Sequence, residues 1–183
     1  MIKAFDRIRE NFNKISLDRI KDIGRMSERD FIRKRKMSFE DMTRIILNKR
    51  GKTTTMEINN YYKEINRREL RTSKQAFSKQ RRKLNSKMFI QLNNEYVESI
   101  YKYAEIGKLK DYIVTAVDGT VLQLPNSEEL RKEFGGQKSN KEGVRSTTRA
   151  TASGINDVKN NIMIDAIIDK YSMPERELAQ KKH

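Results

Sequence analysis

The stretch Tyr112-Ile113-Val114-Thr115-Ala116-Val117-Asp118-Gly119-Thr120-Val121-Leu122-Gln123-Leu124-Pro125 is the longest apolar run of the chain. It is β-branched and aromatic, and too short to cross a membrane. Lys110-Asp111 precedes it and Pro125-Asn126 closes it. These features predict a buried strand, a tight turn at Asp118-Gly119 and a second strand. Asp-Gly suits such a turn because both residues tolerate positive φ. Asp118 also has a second reading. A lone carboxylate delivered by a buried strand is a common way to present a metal ligand for phosphoryl transfer. The two readings are compatible, since an acid in a turn can still face a site.

Around this stretch the charge is unevenly spread. The 183 residues fit one domain or two small ones, and carry 40 Lys and Arg against 25 Asp and Glu, a net +15. Residues 1–103 hold 27 basic and 13 acidic side chains; residues 104–183 hold 13 and 12. A basic half joined to a neutral half points to a polyanion-binding module attached to something else. There is no cysteine, which excludes disulfides and thiolate zinc sites. The only histidine is His183, so histidine catalysis is excluded elsewhere. No run is long enough to span a membrane, and the N-terminus has no signal-peptide core, so a cytoplasmic protein is expected.

The basic half reads as helices. Ile2, Phe5, Ile8, Phe12, Ile15, Leu17, Ile20 and Ile23 recur at mostly helical spacing until Gly24 interrupts. Ser27-Glu28-Arg29-Asp30 fits a helix start, and Arg33-Lys34-Arg35-Lys36 reads as a solvated helix end. Ser38 opens a clearer helix with Phe39, Met42, Ile45 and Ile46 on one face, closed by Lys49-Arg50-Gly51. Thr54 with Glu57 forms a capping box before the stripe Ile58, Tyr61, Tyr62 and Ile65. Thr72 with Gln75 starts a helix over about 73–84 that turns Ala76, Phe77, Gln80 and Leu84 to one side. Its other side carries Gln75, Ser78, Lys79 and Arg82, flanked by Lys74 and Arg81. Residues 54–84 resemble a helix-turn-helix whose last helix enters a major groove, arginine and glutamine reading bases and lysine meeting phosphate. The plainer alternative is a solvated helix surface. A long helix from Ser86 to about Ile106 follows, lined by Met88, Phe89, Leu92, Tyr96, Ile100 and Tyr103 as core. Gly107 to Lys110 marks the boundary, giving regions 1–106 and 107–183.

The neutral half continues with a short helix after Asn126 or Ser127, ended by Gly135-Gly136. Residues 137–146 read as a polar loop. Strands are expected over Thr147–Val158, broken at Gly154, and Asn161–Ile168, with turn residues Asn156-Asp157 and Lys159-Asn160 between them. Asp157, Asp165 and Asp169 read as turn or solvent-facing residues rather than further metal ligands. Ser172 with Glu175 starts a last helix.

A succession of short motifs then carries a resemblance. Ala116-Val117-Asp118-Gly119-Thr120, Leu124-Pro125-Asn126, Glu129-Leu130, Phe134-Gly135, Asn156-Asp157-Val158, Ile164-Asp165-Ala166, Glu175-Arg176-Glu177-Leu178-Ala179 and His183 follow one another in the order and spacing of DDE transposases of bacterial insertion sequences. They are similar to the insertion-sequence-four group over about residues 38–183, more weakly in the basic half. The resemblance implies an α+β chain: an all-helical DNA-binding region, then an incomplete RNase H-like catalytic core, α/β with a mixed sheet. It implies that Asp118 is the first catalytic acid and a ligand of Mg²⁺ or Mn²⁺, in an enzyme where three acids hold two metals. It implies that the second Asp and the Glu lie beyond residue 183, so that this portion alone is inactive. Double-stranded DNA, as transposon ends and target, is the implied partner, with a homo-oligomer on DNA. The alternative is a non-enzymatic DNA-binding regulator or inhibitor of an intact transposase. An RNA-associated basic protein is weaker, because no aromatic-glycine RNA-binding motif is present.

Overall fold

The computed structural model describes residues 4–33, 36–137 and 147–180. The readings made at Lys34-Arg35, over 138–146 and at His183 lie outside these. The chain divides into two compact units, residues 2–96 and 97–183, and the division falls inside one long helix.

The helical unit contains α1 (Ala4–Lys14), α2 (Asp18–Ile23), α3 (Phe39–Leu47), α4 (Thr54–Glu64), α5 (Lys74–Arg81) and the first part of α6 (Lys87–Tyr103). Ser38 caps α3 in a reciprocal box: its hydroxyl accepts from the Asp41 N–H at 3.0 Å, and Asp41 accepts from the Ser38 N–H at 3.1 Å. Two other starts differ by one residue from the expected ones. Thr53, not Thr54, caps α4, and Ser73, not Thr72, caps α5. In both places adjacent hydroxyl residues compete for one role. Glu57 therefore makes no capping box. Its carboxylate accepts from the Arg50 and Lys52 N–H groups at 2.8 and 2.9 Å, which ties the preceding loop to α4. Those two bonds hold its carboxyl below the ordinary range. The helix expected at Ser27 does not form. Residues 27–31 make a turn, with the Asp30 N–H donating to the Ser27 carbonyl and Phe31 at φ 60°.

Two apolar clusters hold this unit. Met37, Met42, Ile45, Ile58, Tyr61, Tyr62 and Phe77 join α3, α4 and α5. Ile15, Ile20, Phe39, Met88 and Leu92 join α2, α3 and α6. Gly24 lies against the second cluster. A Cβ there would come within 2.5 Å of the Met88 sulfur and 2.6 Å of the Phe39 ring, so glycine is needed for close approach and not for its backbone freedom. Beside it, the Met26 N–H donates to the Lys83 carbonyl and the Asn85 N–H to that of Gly24, clasping residues 24–26 to the end of α5.

Among the described residues, the second unit is built on four strands, β1 (Thr115–Gln123), β2 (Gly136–Gln137), β3 (Thr147–Asp157) and β4 (Ile162–Lys170), with α7 (Glu128–Phe134) and α8 (Glu175–Gln180). The chain is α+β, and every strand pairing among the described residues is antiparallel. β3 is central: β1 pairs along one side, β4 along the other, and β2 pairs Thr147-Thr148. β3 runs unbroken through Gly154, and its irregularity is a register shift against β4 after Ile155.

The hairpin expected within 112–124 is corrected. β1 is one strand, and Asp118-Gly119 lie inside it, paired with Gly154 and Ser153. The tight turn stands earlier, at Lys110-Asp111, where φ is 48° and 68° and Leu109 and Tyr112 exchange both backbone hydrogen bonds. These are the positive angles of a type I′ turn. A straight β1 pairs nine residues with β3; folded at Asp118 it would pair mostly with itself.

Candidate functional site

The residues expected to meet DNA stand together. On α5, Lys74, Gln75 and Lys79 are exposed, as are Arg81 and Arg82 at its end; Ser78 is half-buried. Phe77 is fully buried on the opposite side and anchors the helix in the first cluster. Ala76, expected on the inner side, is exposed. No acid lies in the first turn of α5, and none occurs in the sequence between Glu69 and Glu95. The outward face is therefore positive without an internal counter-ion. α4 and α5 are separated by residues 65–73, which hold a 3₁₀ turn at Arg68–Leu70. That connection is longer than the three or four residues of a helix-turn-helix.

A second group of cations was not singled out in the sequence. Lys63, Arg68 and Arg71 line a cleft of about 260 Å³ with Asn59, Asn60 and Tyr62. The acid-free run after Glu69 was available to point there, since it begins at Leu70-Arg71.

Asp118 is exposed, and so is nearly all of β1. The expectation of a buried strand is corrected: Val117, Val121 and Leu122 are 51%, 49% and 39% exposed. Among the described residues, β1 pairs with β3 alone. Side chains alternate across a strand, and the two faces of this sheet differ. On one face Thr151, Ser153, Ile155 and Asp157 of β3 are buried. α8 lies on that face, because a Cβ on Gly119 would strike the Glu175 side chain at 2.5 Å. The Glu175 side chain thus reaches over Gly119, whose φ is not positive. Asp118 stands on the opposite face with Ala116, Thr120 and Leu122, beside the half-buried Ala152, Gly154 and Asn156. Its carboxylate accepts from the Gly119 N–H at 2.9 Å.

The other acids do different work. Asp157 is fully buried, which corrects the solvent-facing part of its reading. It accepts from the Tyr101 hydroxyl at 3.0 Å, the Asn160 side-chain amide at 2.7 Å, and the Lys159 and Asn160 N–H groups at 3.1 Å each. Burial pushes its carboxyl up, but these donors outweigh it and hold the group below the ordinary range. Burial, then the Asp157 contact, raises the Tyr101 phenol to about 12. Asp157 thus organises the turn from β3 to β4. Asp165 and Asp169 are half-buried on β4, each accepting from the next residue's N–H at 2.7 Å. Mg²⁺ or Mn²⁺ needs several oxygen ligands, and among the described residues no three Asp, Glu or His side chains are grouped to hold a metal. Asp118 alone does not fit a two-metal centre.

Comparison with family models, curated proteins and solved structures found no match to the chain. Among the described residues no helix is long and apolar enough to cross a membrane.

Proposed function

We propose that the chain serves DNA transposition as part of a DDE-type transposase, its helical unit gripping duplex DNA at transposon ends. The observation that carries this reading is the outward face of α5. Lys74, Gln75, Lys79, Arg81 and Arg82 are exposed together on a well-anchored helix with no acid among them. Lysine and arginine supply phosphate contact, and arginine and glutamine can read base edges. The second unit supports the reading more weakly. An acid on the first strand, on the less covered face of an antiparallel sheet, suits an RNase H-like core. In this reading Asp118 is one carboxylate of an Mg²⁺ or Mn²⁺ centre, the protein acts as a homo-oligomer on DNA, and it works in the cytoplasm.

The test is duplex binding by the whole chain, followed by fluorescence anisotropy across a salt series. With about six phosphate contacts, log K falls against log salt with a slope of about −5. Lys79→Ala weakens all duplexes alike, whereas Arg82→Ala also flattens the preference between sites. Affinity indifferent to salt, or no binding at low salt, would sink the proposal. A DNA-binding regulator without chemistry is the second reading, and it draws on the same exposed α5 face. A reading frame that continues past residue 183 with an Asp and a later Glu decides for the transposase. A frame without them decides for the regulator.

A further inference from the structure

The helical unit also holds a cleft of about 590 Å³, within the size range of small-molecule sites, that the α5 face does not use. Three cations line it: Lys21 of α2, and Arg29 and Arg33 beyond Gly24. None of the three is ion-paired among the described residues. A fourth, Lys83, is bonded to Asp30 at 2.7 Å, so its charge is met. One carboxylate, Glu40, shares the wall, which leaves the lining positive. The cleft also has an aromatic side. Phe39 is buried, and Phe31 stands edge-on to it with ring centroids 5.4 Å apart, itself only half-buried. Phe31 has φ 60°, a left-handed conformation that bulky residues rarely adopt. Such strain persists where the surroundings over-determine it, and it gathers at ligand clamps.

We propose that this cleft binds a nucleoside monophosphate, its phosphate against Lys21, Arg29 and Arg33 and its base against Phe31. An inorganic anion would leave the aromatic wall idle. A neutral apolar ligand would leave three unpaired cations. A nucleotide answers both, since guanidinium groups take phosphate oxygens in pairs and a base stacks on an aromatic ring. Gln80 adds an amide that can donate to and accept from a base edge. The same chemistry comes from a free mononucleotide or from one nucleotide of a DNA strand. The inference does not depend on the α5 face, and it stands if duplex binding fails.

Calorimetric titration of the full chain with 5′-dAMP tests it, with deoxyadenosine and inorganic phosphate as partial ligands. Saturable one-to-one binding is expected, with each partial ligand about tenfold weaker or more. Lys21→Ala/Arg29→Ala weakens dAMP about tenfold and leaves deoxyadenosine unchanged. Phe31→Leu weakens both nucleoside-containing ligands and leaves phosphate unchanged. Lys79→Ala/Arg82→Ala leaves dAMP binding as it was while duplex affinity falls. Thermal melts of each variant establish that it is folded. Displacement of a fluorescent dAMP by a single-stranded oligonucleotide more readily than by dAMP assigns the occupant to a strand; the reverse order assigns a free nucleotide. No heat of binding at millimolar dAMP, or binding indifferent to the Lys21→Ala/Arg29→Ala change, overturns the proposal.

Discussion

Glu95 accepts hydrogen bonds from Arg19 and Gln91 and pairs with Lys14 at 3.0 Å, with only 13% of its side chain exposed. Arg19 above all holds its carboxyl well below the ordinary range. A carboxyl depressed on folding stabilises the native state above its unfolded pKa of about 4.3. That contribution fades as pH falls from there towards the folded value. Glu95→Gln is therefore expected to cost about 1–2 kcal/mol at pH 7 and to flatten the loss of stability below about pH 4.5, as measured by urea denaturation across pH. An unchanged acid limb would show that the Glu95 pairing does not govern it. Asp118 is a contrasting case. It is exposed, and its described hydrogen bond is to its own neighbour's N–H. Asp118→Asn should leave stability within about 0.5 kcal/mol of wild type. A larger drop in melting temperature would mean that the charge supports the sheet.

At the scale of elements, β1 combines two liabilities. It pairs on one side only among the described residues, and Val117, Val121 and Leu122 are exposed along it. A strand edge with apolar side chains templates pairing with another chain. The protein should self-associate at micromolar concentration, and Val121→Lys should shift sedimentation towards the monomer without lowering the melting temperature. If the charged variant associates as strongly as wild type, β1 is not the contact. The helices were largely legible from periodicity: Phe39, Met42 and Ile45 lie buried on α3 as their spacing requires, and Ile58, Tyr61 and Tyr62 on α4. Strand identity over β3 and β4 was legible too. The Ser27 helix was not. A capping residue predicts a start only where an apolar face follows, and Ser27 is followed by Phe31 in a left-handed turn.

For the whole molecule, composition separates a basic helical half from a neutral half, and the chain folds as two units, 2–96 and 97–183. The long helix expected to close the basic half instead carries the division, since α6 contributes Met88 and Leu92 to one unit and Tyr101 to the other. Each unit therefore has its own packing. The cations of α5 were readable because a short amphipathic helix fixes which side chains face outward. The cleft of Lys21, Arg29 and Arg33 was not, because its walls come from separate stretches brought together by the clasp between residues 24–26 and 83–85.

Local physics settled what is local: helix periodicity, capping chemistry to within one residue, β-branched strands and the distribution of charge. Asp118-Gly119 marks where that reach ended. Its residue types suit a turn, and nothing nearby in the chain forbids one. The strand runs straight because β3 offers a full antiparallel ladder, and the Glu175 side chain of α8 reaches over Gly119 on one face. Both partners are distant in sequence. Pairing and packing energies between distant segments decided whether this stretch bends, and they left Asp118 on the less covered face of the sheet.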